Sequence, residues 1–102
     1  MNWQPKRIAI VGVGLIGASL ALAWRQRGLQ ARYVGVDRAP EALNAALERG
    51  IIDEATTDLP TGLRGADLVV FATPVSAVLE LLPRCASLLA PHTLVTDVGS
   101  TK

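Results

Sequence analysis

The sequence predicts an α/β fold: a Rossmann-type, doubly wound parallel sheet of about five strands in the order 3-2-1-4-5, with helices on both faces. Three observations predict it. The apolar run Ile8-Ala-Ile-Val passes directly into Gly12-Val-Gly14-Leu-Ile-Gly17, which reads as a strand, a G-x-G-x-x-G turn and a helix start. A second apolar run closes on Asp37, 37 − 17 = 20 positions after the third glycine. Beyond these, short apolar runs alternate with helix-like stretches along the 102 residues. That alternation implies right-handed crossovers and parallel strands.

Taken in order, Arg7 to Val11 reads as the first strand. Leu15 to about Gln26 follows as a helix, with the small residues Ala18, Ser19 and Ala21 toward its start and Gly28 marking its end. Arg32 to Val36 is the second strand, and Gly35 inside it signals that something packs close to the backbone there. Pro40 suits the first turn of a helix running through Leu43, Ala46 and Leu47 to Gly50. Glu54 to Thr56 reads as a short third strand, whereas Leu59 to Gly65 is too brief and broken to assign. Leu68 to Ala72 is continuously apolar and therefore central. Val75 to Leu82 reads as helix, with Pro83 restarting or kinking it, and Leu94 to Val98 as the fifth strand.

Composition sets the limits of the function. Half of the residues are hydrophobic but only 4% are aromatic, as suits parallel strands buried under helices. A net charge of +1 with both signs interspersed offers no electrostatic case for nucleic acid or an anionic membrane. The lone Cys85 allows no internal disulfide, which fits a reducing, cytoplasmic setting. The uncharged stretch Ile8–Trp24, flanked by Lys6-Arg7 and Arg25, superficially resembles a secretory signal. Three glycines would weaken any such helix by about 1 kcal/mol each relative to alanine, and strand, turn and helix account for all three.

The glycine turn points to a dinucleotide. Gly12 permits a tight turn, Gly14 lets the backbone approach a pyrophosphate, and Gly17 lets the helix pack against the sheet. Leu15 and Ile16 complete the cofactor-binding turn, where a helix N-terminus offers free N–H groups and a dipole of about +0.5 charge to phosphates. Asp37 can accept hydrogen bonds from both ribose hydroxyls, and its charge would repel a 2′-phosphate, so NAD is favoured over NADP. Arg38 could soften that preference by reaching a 2′-phosphate or stacking on adenine, or be an ordinary exposed charge. Thr73-Pro74 ends the central strand and would face the nicotinamide-ribose half, unless it is only a turn. Asp97-Val-Gly99-Ser100-Thr101-Lys102 follows the last strand at the same rim. There Ser100 is either the N-cap of a following helix or a hydroxyl offered to a substrate. His92 precedes the fifth strand and belongs at the opposite rim, as a solvated turn residue. Cys85 reads as a small buried hydrophobe. No metal-ligand pattern is expected.

Four segments carry a family resemblance: Gly12-Val-Gly14-Leu-Ile-Gly17-Ala-Ser19-Leu, Gly50-Ile-Ile-Asp53-Glu-Ala-Thr56-Thr57, Ala66-Asp67-Leu-Val-Val-Phe-Ala72-Thr73-Pro74-Val75, and Val95-Thr96-Asp97-Val98-Gly99-Ser100-Thr101-Lys102. Together they resemble the prephenate/arogenate dehydrogenases of tyrosine biosynthesis over nearly the whole chain, the last segment most specifically. Ala18 stands where many members have glycine. The resemblance implies hydride transfer to NAD from the ring carbon bearing the 4-hydroxyl, with loss of the ring carboxylate as carbon dioxide. It implies that Ser100 hydrogen-bonds the substrate hydroxyl, and that the glycines, Asp37 and Thr73 hold cofactor. It also implies a catalytic histidine and a helical dimerisation domain downstream of Lys102, so residues 1–102 would be the dinucleotide-binding domain of a cytoplasmic homodimer and inactive alone. Two other functions compete: a different nicotinamide dehydrogenase of the β-hydroxyacid or imine reductase type, and a non-catalytic nucleotide-sensing module. The Asp-Val-Gly-Ser-Thr-Lys segment argues against the first, and a sensor has no need of a hydroxyl beside the nicotinamide.

Overall fold

A computed structural model describes residues 4–72, 83, 89 and 92–97. The elements run β1 (Arg7–Val11), α1 (Leu15–Gln26), β2 (Arg32–Val36), α2 (Pro40–Glu48), β3 (Glu54–Thr56), α3 (Leu59–Leu63), β4 (Leu68–Phe71) and β5 (Leu94–Asp97). All strand pairings are parallel, and the sheet order is β3-β2-β1-β4-β5. This is the predicted order. The expected helix over Val75 to Leu82, together with Thr73, Pro74, Cys85, Val98 and Ser100, lies outside the described residues.

Side chains of a strand alternate between its faces, and β1 uses both. Ile8 and Ile10 join Val13, Tyr33, Leu43, Ala46, Ile52 and Val70 under α1 and α2. Ala9 and Val11 join Val36, Val69, Phe71 and Leu63 on the α3 side. Ile8, Ala9 and Ile10 are fully buried, and each large aliphatic chain so buried contributes about 1.5–3 kcal/mol. Because both faces are covered, β1 and β4 carry uninterrupted apolar sequence rather than alternation.

Leu59 to Leu63, left unassigned from sequence, is helical. Its start is built by Asp58, whose carboxylate accepts from the Thr61 N–H at 3.1 Å and from the Thr61 hydroxyl. Pro60 in the first turn loses nothing, because an N–H there has no intrahelical partner. The cap outweighs the brevity of the segment. The fourth strand ends at Phe71, one residue short of the expected Ala72, although Ala72 N–H still donates to Val11 O at 2.8 Å.

The amino ends of the strands are tied together by charge. Asp67, just before β4, accepts the Lys6 and Arg7 N–H groups at 2.8 and 3.1 Å and pairs with His92 Nε2 at 2.9 Å. Arg7 forks onto Glu54 at 3.1 and 3.2 Å and also donates to Arg64 O, and Arg32 joins the same carboxylate. The side-chain hydrogen bonds from Arg7 and then Arg32 hold the Glu54 carboxyl down to about 2. Asp67 is likewise held below the ordinary carboxylate range, first by His92 and then by the Lys6 N–H. On the neighbouring edge, Arg25 reaches Asp53 at 2.6 Å and lies 4.2 Å over the Tyr33 ring. His92 thus occupies the rim expected for it. It is exposed, but it has a carboxylate partner.

Candidate functional site

At the opposite rim the chain leaves β1 through Gly12. Its φ of 95° lies in the left-handed region that side chains avoid. The turn folds back toward β2, where Gly12 N–H donates to Val36 O at 2.7 Å. Val13 is 4% exposed and joins the core under α1 and α2. Gly14 is the N-cap of α1, with φ −82° and ψ −159°, and its carbonyl receives the Ala18 N–H at 2.9 Å.

The three glycines have separate tasks. A Cβ on Gly14 would meet none of the described atoms within 4 Å, so it would project into open space above the turn. A Cβ on Gly17 would overlap the Gly12 carbonyl oxygen and lie 3.1 Å from Ile10 Cγ2 and 3.3 Å from Ala72 Cβ. Gly17 is therefore where helix, turn and the end of β4 converge. Ala72 lies at the junction of β1 and β4, its N–H donating to Val11 O; Thr73 and Pro74 lie outside the described residues.

The first turn of α1 contains no acid, and among the described residues no side chain caps it. The N–H groups of Leu15, Ile16 and Gly17 have no partner inside the helix. They form an electropositive end facing the space left open by Gly14.

Asp37 follows β2 and is half-buried. Its Oδ2 accepts the Val13 N–H at 2.8 Å and its Oδ1 the Ala39 N–H at 2.9 Å. Its own N–H donates to Thr56 O at 3.3 Å. The carboxylate is thus tied to the glycine turn on one side and to the entry of α2 on the other, and each oxygen retains acceptor capacity. Sequence spacing brings the acid to this rim but does not reveal the Val13 amide that holds it. Arg38 is exposed beside it. Asp97 pairs in register with Phe71, so β5 ends level with β4 at this rim.

Open space over Gly14, an uncapped helix end and a carboxylate 2.8 Å from the turn's own amide suit the phosphates and one ribose of a dinucleotide. Comparison with known proteins adds the family. Residues 20–102 match the family described as prephenate dehydrogenase, nucleotide-binding domain. The chain belongs to this family. The matched span begins after the glycine turn, so membership does not depend on that motif. Prephenate dehydrogenase of Bacillus subtilis is 40% identical over 103 residues, covering 100% of this chain and 28% of that protein. The Aquifex aeolicus prephenate dehydrogenase, solved in complex with hydroxyphenyl propionate and NAD+, superposes with a TM-score of 0.86 at 33% identity, over 100% of this chain and 35% of that one. Synechocystis arogenate dehydrogenase gives 0.82 at 41% identity, over 94% and 34%. The chain therefore spans about a third or less of the length of these relatives. Among the described residues no helix is long and apolar enough to cross a membrane.

Proposed function

We propose that this chain is the NAD-binding part of a prephenate or arogenate dehydrogenase acting in tyrosine biosynthesis. The observation that carries the cofactor assignment is the Asp37 carboxylate, held by the Val13 and Ala39 amides beside the glycine turn. A bound nicotinamide dinucleotide supplies the hydride acceptor for oxidative decarboxylation of the substrate. The chain's own residues bind and orient. The first-turn amides at Leu15, Ile16 and Gly17 face the pyrophosphate, Gly14 keeps the approach clear, and Asp37 accepts from the ribose hydroxyls. Arg38, exposed beside this grip, stacks on the adenine. By resemblance to the family, Thr73 holds the cofactor and Ser100 hydrogen-bonds the substrate hydroxyl; the position of Thr73-Pro74 after the central strand assigns both to the nicotinamide half.

The chain's one histidine stands at the other rim, paired with Asp67. A general base must come within about 2.6–3.2 Å of its proton, or one water away. By resemblance to the family, the base that takes the substrate proton is a histidine other than His92, and the same resemblance implies a helical dimerisation domain and a cytoplasmic homodimer for the whole protein. The relatives' names support this reading, and so does the length they have beyond the matched region.

Calorimetric titration with NAD and NADP tests the cofactor assignment. NAD should bind more tightly. Asp37→Ser should weaken NAD by about 1–3 kcal/mol, the range for hydrogen bonds to a charged acceptor, and should narrow the gap to NADP. Equal or tighter NADP binding by the unmodified chain would overturn the assignment.

A further inference from the structure

Gly35 lies in the middle of β2, two residues before Asp37, and touches no cofactor position. A Cβ built there would lie 2.7 Å from Ile52 Cδ1 and 2.9 Å from Val13 Cγ2. The two neighbours differ in how they can yield. Ile52 presents the tip of a flexible side chain. Val13 presents a branched γ-methyl on a stiff rotamer, two bonds from the backbone of the glycine turn. That backbone supplies the N–H that holds Asp37 Oδ2 at 2.8 Å. Val13 thus holds β2 twice, by a methyl seated over Gly35 and by an amide on the acid that follows the strand.

We infer that Gly35 is a positioning residue for nucleotide selectivity: its missing side chain lets Val13 seat on β2, and the seated Val13 aims the Asp37 carboxylate. This goes beyond the proposed function but rests on its assignment of Asp37 to the ribose. A methyl at position 35 pushes Val13 outward and lengthens its bond to Asp37, while the Ala39 N–H on the other oxygen is undisturbed. The carboxylate keeps its charge and loses its orientation. NAD binding, which uses the orientation, falls. NADP binding, which the oriented acid opposes, does not fall in proportion.

The test compares Gly35→Ala, Val13→Ala and the double variant in the 102-residue chain. Gly35→Ala should weaken NAD by about tenfold, the value of a fraction of one charge-assisted hydrogen bond, and reduce the NAD-to-NADP affinity ratio. The double variant removes the Val13 methyl that clashes, leaves only the flexible Ile52 tip to yield, and should bind NAD like Val13→Ala alone. Hydrogen exchange of backbone amides, measured without nucleotide, should show the Val13 N–H losing protection in Gly35→Ala while Ile10 and Ala39 keep theirs. An unchanged NAD-to-NADP ratio with only a lower Tm would make Gly35 a packing residue and overturn the inference. So would unchanged Val13 exchange. If Gly35→Ala fails to fold, the double variant still decides, and an additional loss of NAD binding relative to Val13→Ala refutes the inference. If the unmodified chain binds no NAD, the assignment of Asp37 to the ribose fails, and the Val13 exchange result still reports on the seating.

Discussion

The two rims of this sheet are made from the same five strands and are opposite in kind. At the amino rim, charges satisfy one another: Asp67 holds the Lys6 and Arg7 amides and His92, and Glu54 holds two arginines. At the carboxyl rim, among the described residues, a helix begins without a side-chain cap, a glycine leaves space open, and the Asp37 carboxylate is held by amides rather than by a cation. The difference separates a rim where polar groups satisfy one another from the rim to which we assign the nucleotide. It also predicts that substitutions should separate cleanly: stability at one rim, binding at the other.

Gly14→Val puts the largest strain on that comparison. The backbone of Gly14 is extended at φ −82°, which valine adopts readily, and its Cβ has free space. Binding of NAD should fall by about 100-fold or more, since the methyls would fill the volume proposed for the pyrophosphate. The Tm should change little. Circular dichroism and a titration on the same sample check both halves. Binding that survives would place the phosphates elsewhere.

Asp67→Ala addresses the other rim. Two main-chain N–H groups and an imidazole would lose their acceptor, at a cost of about 1–2 kcal/mol. Urea denaturation should show this loss while NAD affinity stays within about twofold. A large change in affinity would mean that the rims communicate through β1 and β4, and the separation would fail.

Glu54 gives the smallest effect and the sharpest signature. Its folded-state pKa of about 2 lies below its ordinary 4.5. A depressed acid stabilises the fold above its unfolded pKa, and that stability is lost as the pH falls from 4.5 toward 2. The side chain is 37% exposed, so screening limits the contribution to about 1 kcal/mol or less. Glu54→Gln should flatten the acid limb of a Tm-against-pH curve and leave neutral-pH binding of NAD unaltered.

The described part of the carboxyl rim was legible in the sequence because its geometry is local. Gly12, Gly14 and Gly17 act within six residues, and the spacing to Asp37 is the length of one helix and one strand. Gly35 also announced a close neighbour, though not that the neighbour was Val13. The amino rim was illegible for the complementary reason. Its pairs join residues 22 to 61 positions apart, and no periodicity links Asp67 to Lys6 or Glu54 to Arg7. The short α3 failed for a third reason. Its stability comes from the Asp58 cap and from Leu63 in the core, while Pro60 and Gly62 depress any count of helical propensity. The Asp58-Leu-Pro60-Thr61 sequence carries the cap signal despite the shortness of the segment.

The two amides on Asp37 have a thermodynamic consequence. A surface aspartate in water samples several rotamers, and a ligand that needs one of them must restrict the rest. Freezing a mobile side chain at an interface costs about 0.5–1.5 kcal/mol. Here each oxygen is already engaged, at 2.8 and 2.9 Å, so folding has removed that freedom before any nucleotide arrives. The conformational entropy is spent once, when the chain folds, and every later binding event proceeds without that cost.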